Sequence, residues 1–513
     1  MSGNPHTHHD TAGSARRSHH TDGHLPSSGS LPRHAGTVIV GGGLAGTELA
    51  NALAGHGVGD ILLLEAGPGE DLAHIHLTHT REAATELVFA PERDPHFHRP
   101  WRSSAPPHYT GISGLRRRLG GRSLYWHGVV LPLEDWALRA PQWPADVTAA
   151  LTTATATAPS WYDQVGADLT AWSGGVLWDP AQPARTTFGG EEFRPLPRAC
   201  RRRPGTDRWE AYTALDAWRT VEGRPVPPPG VTVRCDTEVL AVDVRAGRAR
   251  GVLLRTADGT VTTVGADTVV LCAGTVESTR LAAHALTVAG ALRFPRLGGL
   301  ADHIVQGFVV RLPADRLPGP GSYHLPTDPV LRSYLRMDVH PDGPGRALLD
   351  VRVTGEQLPN DHSVVECPPR DEPPWRARVR TGLLPEDHKM IGAQRDLLGD
   401  FWARAAADVG LPAVPLEFTG FGDADRDNTR VLPDHTRGQS AGRPETWTSL
   451  LGTEDHEGGC LPLGRLLDTR HAFTALPGLY AAGPAVFPRL GAANPSLTTI
   501  ALSRRLAGLL AGA

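Results

Sequence analysis

Residues 37–67, TVIVGGGLAGTELANALAGHGVGDILLLEAG, decide the fold that this sequence predicts. The apolar, β-type run at 38–40 ends in a glycine-rich turn at 41–46, GGGLAG. Apolar residues then recur at the spacing of one helix face, at Ala45, Leu49, Ala52 and Leu53. The stretch therefore predicts a strand, a tight turn and a helix.

Each glycine of this GxGxxG pattern has a separate physical role. Gly41 makes the turn, Gly43 lets backbone N–H groups approach a pyrophosphate, and Gly46 lets the helix pack closely on the strand. The positive end of the helix dipole then faces the phosphates. The next apolar run, ILLL at 61–64, ends in Glu65, where a carboxylate can accept hydrogen bonds from a ribose diol. The pattern predicts an adenine dinucleotide, FAD or NAD, in preference to a purely structural turn.

The composition is that of a globular protein of more than one domain. The chain has 513 residues, 40% hydrophobic and 21% charged, and its length favours two closely packed domains. A formal net charge of −4 gives no reason to expect nucleic acid as a partner. No apolar run reaches the roughly 18 residues that a membrane span needs.

The five cysteines are scattered and lack CxxC spacing. They suggest neither a zinc site nor a disulfide framework, which fits a reducing cytoplasm. Residues 1–35 are rich in His, Ser, Gly and Thr and contain too few large apolar residues to pack, so we expect a disordered tail. Its histidines have no fixed geometry, and we expect no functional metal site there.

The middle of the chain separates FAD from NAD. Residues 68–114 look irregular, and LGGRSLYWHG at 119–128 is either a plain loop or backbone laid against a flat ring system. From residue 231 the runs VTVRC, EVLAVDV, ARGVLLRT and TVTTVGADTVVLCAG predict an antiparallel meander. Its last strand leads through Gly274 into a helix. A glycine-rich unit, a later meander and a second strand-glycine unit favour a two-segment FAD domain over a simple NAD domain.

The last third of the chain predicts a second sheet and then a return to the cofactor. Candidate strands cover 303–311, 346–354 and 376–380, and a helix covers about 390–409. HEGGCLPLG at 456–464 precedes a strand at 478–483, and GAANPSLT at 491–498 opens a helix that runs to about 510. Pro495 suits its first position, and the start of this helix is a second anion site.

Taken together, these motifs resemble the glucose-methanol-choline (GMC) flavoprotein oxidoreductase family. The similarity covers most of residues 36–512 and is carried by VIVGGGLAG, GGRS, VVLCAGTVEST, LADH, HEGGCLPLG and FPRLGAANPSLT. The resemblance implies an α/β fold in which an FAD-binding Rossmann-like domain of GMC type is interleaved with an antiparallel-sheet substrate domain. We expect the FAD-binding domain to comprise 36–145, 231–300 and 446–513, and the substrate domain to comprise 146–230 and 301–445.

The resemblance also implies which residues contact the FAD. They fall on the glycine turn, the GGRS segment, the meander and the C-terminal motif: Gly41, Gly43, Leu44, Ala45, Gly46, Glu65, Ala66, Gly120, Gly121, Ser123, Tyr125, Trp126, His127, Val239, Ala273, Gly274, Gly483, Pro484, Asn494, Pro495 and Leu497.

Two departures from the family pattern affect the expected cofactor contacts. Members with covalent FAD carry a histidine in the segment that matches 123–127, and the best register places Tyr125 there, so we expect non-covalent FAD. A shifted register would bring His127 to that position. Many relatives carry Asp near the position of Gly483, so we expect that one contact to the flavin tail is either missing here or made by backbone.

Two side chains are expected to carry the chemistry. In the family, the histidine of the HxxGT-like segment and the residue before Pro in the last motif face the flavin; here these are His456 and Asn494. Neutral imidazole is suited to removing a hydroxyl proton near neutral pH. The hypothesis is that His456 takes this proton while hydride passes to flavin N5 and Asn494 orients the alcohol. The alternatives are a surface-loop histidine and a helix N-cap asparagine.

The sequence therefore predicts FAD-dependent oxidation of a CH–OH group in a sugar, glycoside or polyol-like small molecule. The electron acceptor is O2 or another compound, and the oligomeric state stays open. Three alternatives remain: a non-redox lyase or isomerase on a flavin scaffold, a C–N (amine) oxidase, and an NAD-linked dehydrogenase.

Overall fold

The computed structural model describes residues 30–512, except for 81–82, 85–86, 89, 104–108, 110–112, 207, 222–223, 327–328, 419–441 and 450. The His-rich tail, for which the sequence predicts disorder, lies outside the described residues apart from its last few positions. No helix of the described residues is long and apolar enough to span a membrane.

The helices and strands are numbered in chain order. The α-helices are α1 Leu44–Gly55, α2 Ile75–Thr78, α3 Asp135–Leu138, α4 Ala145–Thr152, α5 Trp161–Trp172, α6 Thr275–Val288, α7 Pro385–Asp408 and α8 Ser496–Ala511. Short 3-10 helices cover Pro91–Arg93, Gly121–Leu124, Ala214–Ala217, Ala314–Arg316 and Pro484–Val486. The strands are β1 His34–Val40, β2 Ile61–Leu64, β3 Phe97–His98, β4 Arg102–Ser103, β5 Leu115–Arg116, β6 Thr186–Phe188, β7 Glu191–Pro195, β8 Cys200–Arg202, β9 Trp209–Ala211, β10 Arg219–Val221, β11 Arg224–Val226, β12 Val231–Arg234, β13 Glu238–Arg245, β14 Arg248–Arg255, β15 Val261–Leu271, β16 Arg296–Gly298, β17 His303–Pro313, β18 Gly321–Pro326, β19 Ser333–Pro341, β20 Arg346–Glu356, β21 Val364–Glu366, β22 Arg378–Arg380, β23 Glu445–Ser449 and β24 Leu479–Ala481.

The first large sheet has the order β12-β2-β1-β15-β14-β13, and β24 also pairs with β15. Strand β1 runs parallel to both β2 and β15, as a Rossmann-like unit requires. The N-terminal half of β15 pairs antiparallel with β14. This long strand therefore connects the parallel strands of the sheet to the meander. The parallel strands are buried on both faces, and α1 packs against α8 on one side of them.

One strand of the predicted meander belongs elsewhere. Residues 231–235 were expected to form its first strand, and this prediction is wrong, because β12 pairs parallel with β2 at the opposite edge of the sheet. Only β13, β14 and β15 form the antiparallel meander. A short alternating strand shows that one face is buried, but its pattern does not specify which neighbour it pairs with.

The second large sheet has the order β23-β17-β20-β19-β18-β7-β6 and is antiparallel throughout. One face packs on α7 through a core that includes Phe308, Val351, Phe401 and Trp402. The predicted strands at 303–311 and 346–354 are confirmed as β17 and β20, whereas β18 and β19 had no prediction. The expected domain boundary between 445 and 446 falls within β23, which pairs with β17.

We expect Gly46→Ala to destabilise the protein by about 1–3 kcal/mol, the usual cost of overpacking a filled core. A Cβ at Gly46 would lie 1.9 Å from the carbonyl oxygen of Gly41, so helix and turn would have to separate. Gly55→Ala on the same helix is the matched control, because its Cβ would meet nothing within 4 Å. That control should stabilise the protein by up to about 1 kcal/mol. Urea unfolding measures both, and equal midpoints would contradict the expectation.

Candidate active site

A cavity of about 1540 Å³ lies between the two large sheets. One end is bounded by the glycine turn after β1 and the other by the polar face of the second sheet. Of the residues predicted to contact cofactor, most line this cavity: Gly41, Gly43, Leu44, Ala45, Glu65, Ala66, Gly121, Ser123, Tyr125, Trp126, His127, Val239, Ala273, Gly274, Gly483, Pro484, Asn494 and Pro495. Gly46 and Gly120 do not line the cavity, and Leu497 packs in the hydrophobic core.

The glycine turn has room for a phosphate group at one position only. Gly41 has a φ of +106°, and a Cβ there would lie 2.5 Å from the carbonyl oxygen of Cys272. At Gly43, by contrast, an added Cβ meets nothing within 4 Å, so its backbone borders open space. The first N–H groups of α1, which have no partner within the helix, begin at this point. The turn therefore fits the pyrophosphate of a dinucleotide.

Glu65 is held by backbone N–H groups at the edge of the cavity. Its Oε2 accepts from the N–H of Gly42 at 2.9 Å, and its Oε1 accepts from that of Gly67 at 2.8 Å. Burial raises its pKa to about 7, although these bonds and Arg117 oppose the change. Each carboxylate oxygen keeps a further lone pair, so the fixed carboxylate can still accept from a ribose hydroxyl.

The GGRS segment lies directly against the glycine turn. The N–H of Gly120 donates to the carbonyl of Gly42 at 2.8 Å, and Gly120 has a φ of +88°. Two residues beyond this segment, the hydroxyl of Tyr125 donates to Asp94 at 3.3 Å. His127 lines the cavity as Tyr125 does. The segment is thus part of the cavity wall and not a plain surface loop.

His456 and Asn494, which are far apart in the sequence, are in direct contact. Nδ2 of Asn494 lies 3.0 Å from Nε2 of His456, and Oδ1 of Asn494 accepts from the hydroxyl of Tyr334 at 3.1 Å. Because Oδ1 faces Tyr334, the amide N–H group is directed at the imidazole. The helix after this loop begins at Ser496 with Pro495 as its N-cap, so Asn494 is not a helix cap.

The electrostatic surroundings keep His456 neutral. Burial lowers its pKa well below 6.5, and the neighbouring His303, Arg122 and Arg336 add to this effect. The imidazole therefore keeps one unprotonated ring nitrogen at neutral pH. With a donor beside it and the cavity in front of it, His456 is suited to accept a proton from a bound hydroxyl group.

Two further residues support His456, and the sequence assigned neither of them a role. His303 is almost fully buried, and its Nδ1 lies 2.9 Å from Nδ1 of His456. Arg122 donates to both carboxylate oxygens of Glu457, at 2.5 and 2.9 Å, and pairs with Asp455 at 3.1 Å. His303 lies in LADH and Arg122 in GGRS, two of the motifs that carry the family resemblance. Their position in these motifs is the feature of the sequence that could have identified them as site residues.

The roof of the cavity is charged but balanced. Arg336 pairs with Asp338 at 2.7 Å, and Arg352 forms an ion pair with Asp350. All four side chains line the cavity from β19 and β20. Because each arginine has an aspartate partner, the roof offers many hydrogen-bonding groups without a strong net charge. Among the described residues, no group of three or more His, Cys, Asp or Glu side chains could hold a metal ion.

The sequence matches no protein-family model and no curated protein. The structure is similar to pyridoxine 4-oxidase from Mesorbium loti, with a TM-score of 0.55 and 16% identity over 92% of this chain and 98% of that one. It is also similar to formate oxidase from Aspergillus oryzae RIB40, with a TM-score of 0.61 and 15% identity over 94% and 99% of the two chains. At such identities the likeness establishes the fold. The chain therefore has the fold of the GMC oxidoreductases, the family that its sequence motifs resemble.

Proposed function

We propose that this protein is an FAD-dependent oxidoreductase that oxidises a CH–OH group of a small, multiply hydroxylated alcohol such as a sugar, glycoside or polyol. The observation that carries the proposal is the contact at the cavity between the imidazole of His456 and the amide of Asn494, 3.0 Å apart at Nε2 and Nδ2. Burial lowers the pKa of His456, which favours the neutral form of this imidazole. Both fold relatives are oxidases by name, and one was studied for modification of its FAD.

The cavity fits FAD along its length. Gly43 and the start of α1 would hold the pyrophosphate, Glu65 the ribose, and the segment around Gly121 the ring system. When bound, FAD supplies a two-electron acceptor for hydride. We propose that it is bound non-covalently, because the hydroxyl of Tyr125 is engaged by Asp94. Release of free flavin on denaturation supports this; flavin retained on the chain would instead point to His127.

In the proposed oxidation of the alcohol, each residue of the site has a separate role. When the alcohol enters between the two side chains, its hydroxyl proton moves to Nε2 of His456, the nitrogen that accepts from Nδ2 of Asn494 in the structure. Nδ2 of Asn494 then donates to the alcohol oxygen and holds the reacting carbon in place. Tyr334 keeps the amide in the required orientation by donating to its Oδ1. The chain thus supplies the base and the orientation that removal of hydride from carbon requires.

The roof supports the choice of a neutral, polar substrate. A substrate with several hydroxyl groups can both donate to the aspartates and accept from the arginines of β19 and β20. A long apolar alcohol would desolvate these ion pairs and leave their remaining donors and acceptors, such as Nε of Arg352 and Oδ1 of Asp350, without hydrogen bonds, which is costly. O2 is the proposed acceptor, and measurement of oxygen consumption and peroxide during turnover tests this choice.

The experiment that tests the proposed function is an absorbance spectrum of the purified protein followed by anaerobic titration. We expect a flavin spectrum, and we expect that a sugar or polyol bleaches the visible band in the absence of O2. The matched control is a deoxy analogue that lacks the reacting hydroxyl, which should leave the band unchanged. A colourless protein that binds no added FAD would overturn the proposal. Turnover without bleaching would instead support a lyase or isomerase.

A further inference from the structure

The LADH segment at the start of β17 places a second histidine, His303, in contact with His456. His303 is 1% exposed, and its two ring nitrogens have different partners. Nε2 lies 3.1 Å from the carbonyl oxygen of Gly491, and Nδ1 lies 2.9 Å from Nδ1 of His456. Gly491 belongs to the same loop as Asn494, so one loop contacts both imidazoles.

The partners determine where the ring protons lie. A carbonyl oxygen can only accept a hydrogen bond, so Nε2 of His303 must carry a proton. Burial lowers the pKa of His303 to about 4, so the ring is neutral at pH 7 and its Nδ1 is an acceptor. The proton between the two rings therefore belongs to Nδ1 of His456. A neutral His456 with this proton has its lone pair on Nε2, next to Asn494.

We propose that His303 is a positioning residue that fixes the Nδ1–H tautomer of His456 and so presents Nε2 of that residue as the base. The proposal rests on the proposed function, because the tautomer matters only if His456 accepts a proton. When Nε2 is protonated, the imidazolium still donates from Nδ1 to His303. The bond from His303 to Gly491 in turn polarises His303 and strengthens it as an acceptor.

The other groups around the pair do not supply this acceptor. Arg122 and Arg336 contribute positive charge near His456 and cannot accept a hydrogen bond. Asp302 precedes His303, but its carboxylate accepts from the N–H of His303 at 2.7 Å and from that of Gly452 at 2.5 Å. These bonds anchor the start of β17 and hold His303 in place.

Two variants separate tautomer control from simple packing. Both His303→Leu and His303→Asn lose the bond to Gly491, but only Asn keeps an acceptor at about the position of Nδ1. We expect His303→Leu to slow anaerobic flavin reduction by about 10- to 100-fold, less than the 10²–10⁴-fold expected for complete loss of a general base. His303→Asn should recover most of this rate. Both should retain FAD, with KM changing less than kcat.

Nitrogen-15 NMR of the histidine-labelled holoenzyme tests the proposal without substrate. A His456→Gln sample identifies the His456 signals by their loss. The wild type should show His456 as the Nδ1–H tautomer, and His303→Leu should shift it toward Nε2–H. An Nε2–H tautomer in the wild type, or equal rates for the Leu variant and the wild type, would overturn the proposal. If no alcohol reduces the flavin, the proposed function fails, while the NMR result still decides the tautomer assignment.

Discussion

Replacement of His456 by Gln is expected to slow substrate reduction of the bound flavin by roughly 10²–10⁴-fold, the range for loss of a general base. The Gln side chain can still hydrogen-bond Asn494, but an amide does not accept a proton at neutral pH. FAD should remain bound, because the substitution leaves the glycine turn and Glu65 unchanged. Stopped-flow measurement of flavin bleaching under anaerobic conditions gives the rate.

The control variant is His388→Gln, an exposed histidine on α7, which should reduce its flavin at the wild-type rate. The pH dependence gives a second check. Because the pKa of His456 is well below 6.5, the base is neutral from pH 7 upward, and the rate should fall only as the pH drops through that lowered pKa. A reduction rate for His456→Gln within a few-fold of wild type would remove His456 from the chemistry.

The first βαβ unit was predictable because its signals are local. Gly41 needs a positive φ and Gly46 needs close contact, and both requirements act between residues near in sequence. The partner of β12 was not predictable in this way. Its parallel pairing with β2 joins segments about 170 residues apart, and an alternating pattern of four residues is compatible with either edge of the sheet.

The site was predictable only where a motif marks it. The family resemblance identified His456 and Asn494 as site residues, and in the structure Nε2 of His456 lies 3.0 Å from Nδ2 of Asn494. The roles of His303 and Arg122 depend on partners more than 150 residues away in the sequence. Such contacts cannot be predicted from the spacing of residues within a motif. The roof arginines lie on strands without motifs, and among 51 lysines and arginines nothing distinguishes them before the sheet is assembled.

Arg122 joins the wall of the cofactor cavity to the loop that carries His456. Besides its two bonds to Glu457, it donates to the carbonyl of Gly114 at 2.7 Å. The side chain of Glu457 is 3% exposed, and Ser113 also donates to it at 2.9 Å. Burial alone would raise the pKa of Glu457, but Arg122 reverses this and leaves it below its usual value. The guanidinium is therefore what keeps this carboxylate charged.

We expect Arg122→Met to destabilise the protein by about 3–5 kcal/mol at pH 7, the usual cost of leaving one member of a buried ion pair without its partner. The double variant Arg122→Met with Glu457→Gln should recover part of this loss, because it removes the charge of Glu457 but leaves Asp455 without its arginine partner. Arg139→Met, which breaks an exposed pair with Asp135, is the matched control and should change the stability by less than about 0.5 kcal/mol. Urea unfolding of the FAD-loaded proteins measures all three.

The pH dependence of this loss distinguishes a buried charge from lost packing. In the wild type the lowered pKa of Glu457 contributes stability that is present above its ordinary pKa and is lost as the pH falls through the lowered value. Without Arg122, burial raises the pKa of Glu457. The Glu457 side chain of the variant therefore becomes protonated at mildly acidic pH, and this removes the destabilising buried charge. The stability gap between wild type and Arg122→Met should therefore narrow from pH 7 to pH 5. A gap of constant size would show that Arg122 acts through packing alone.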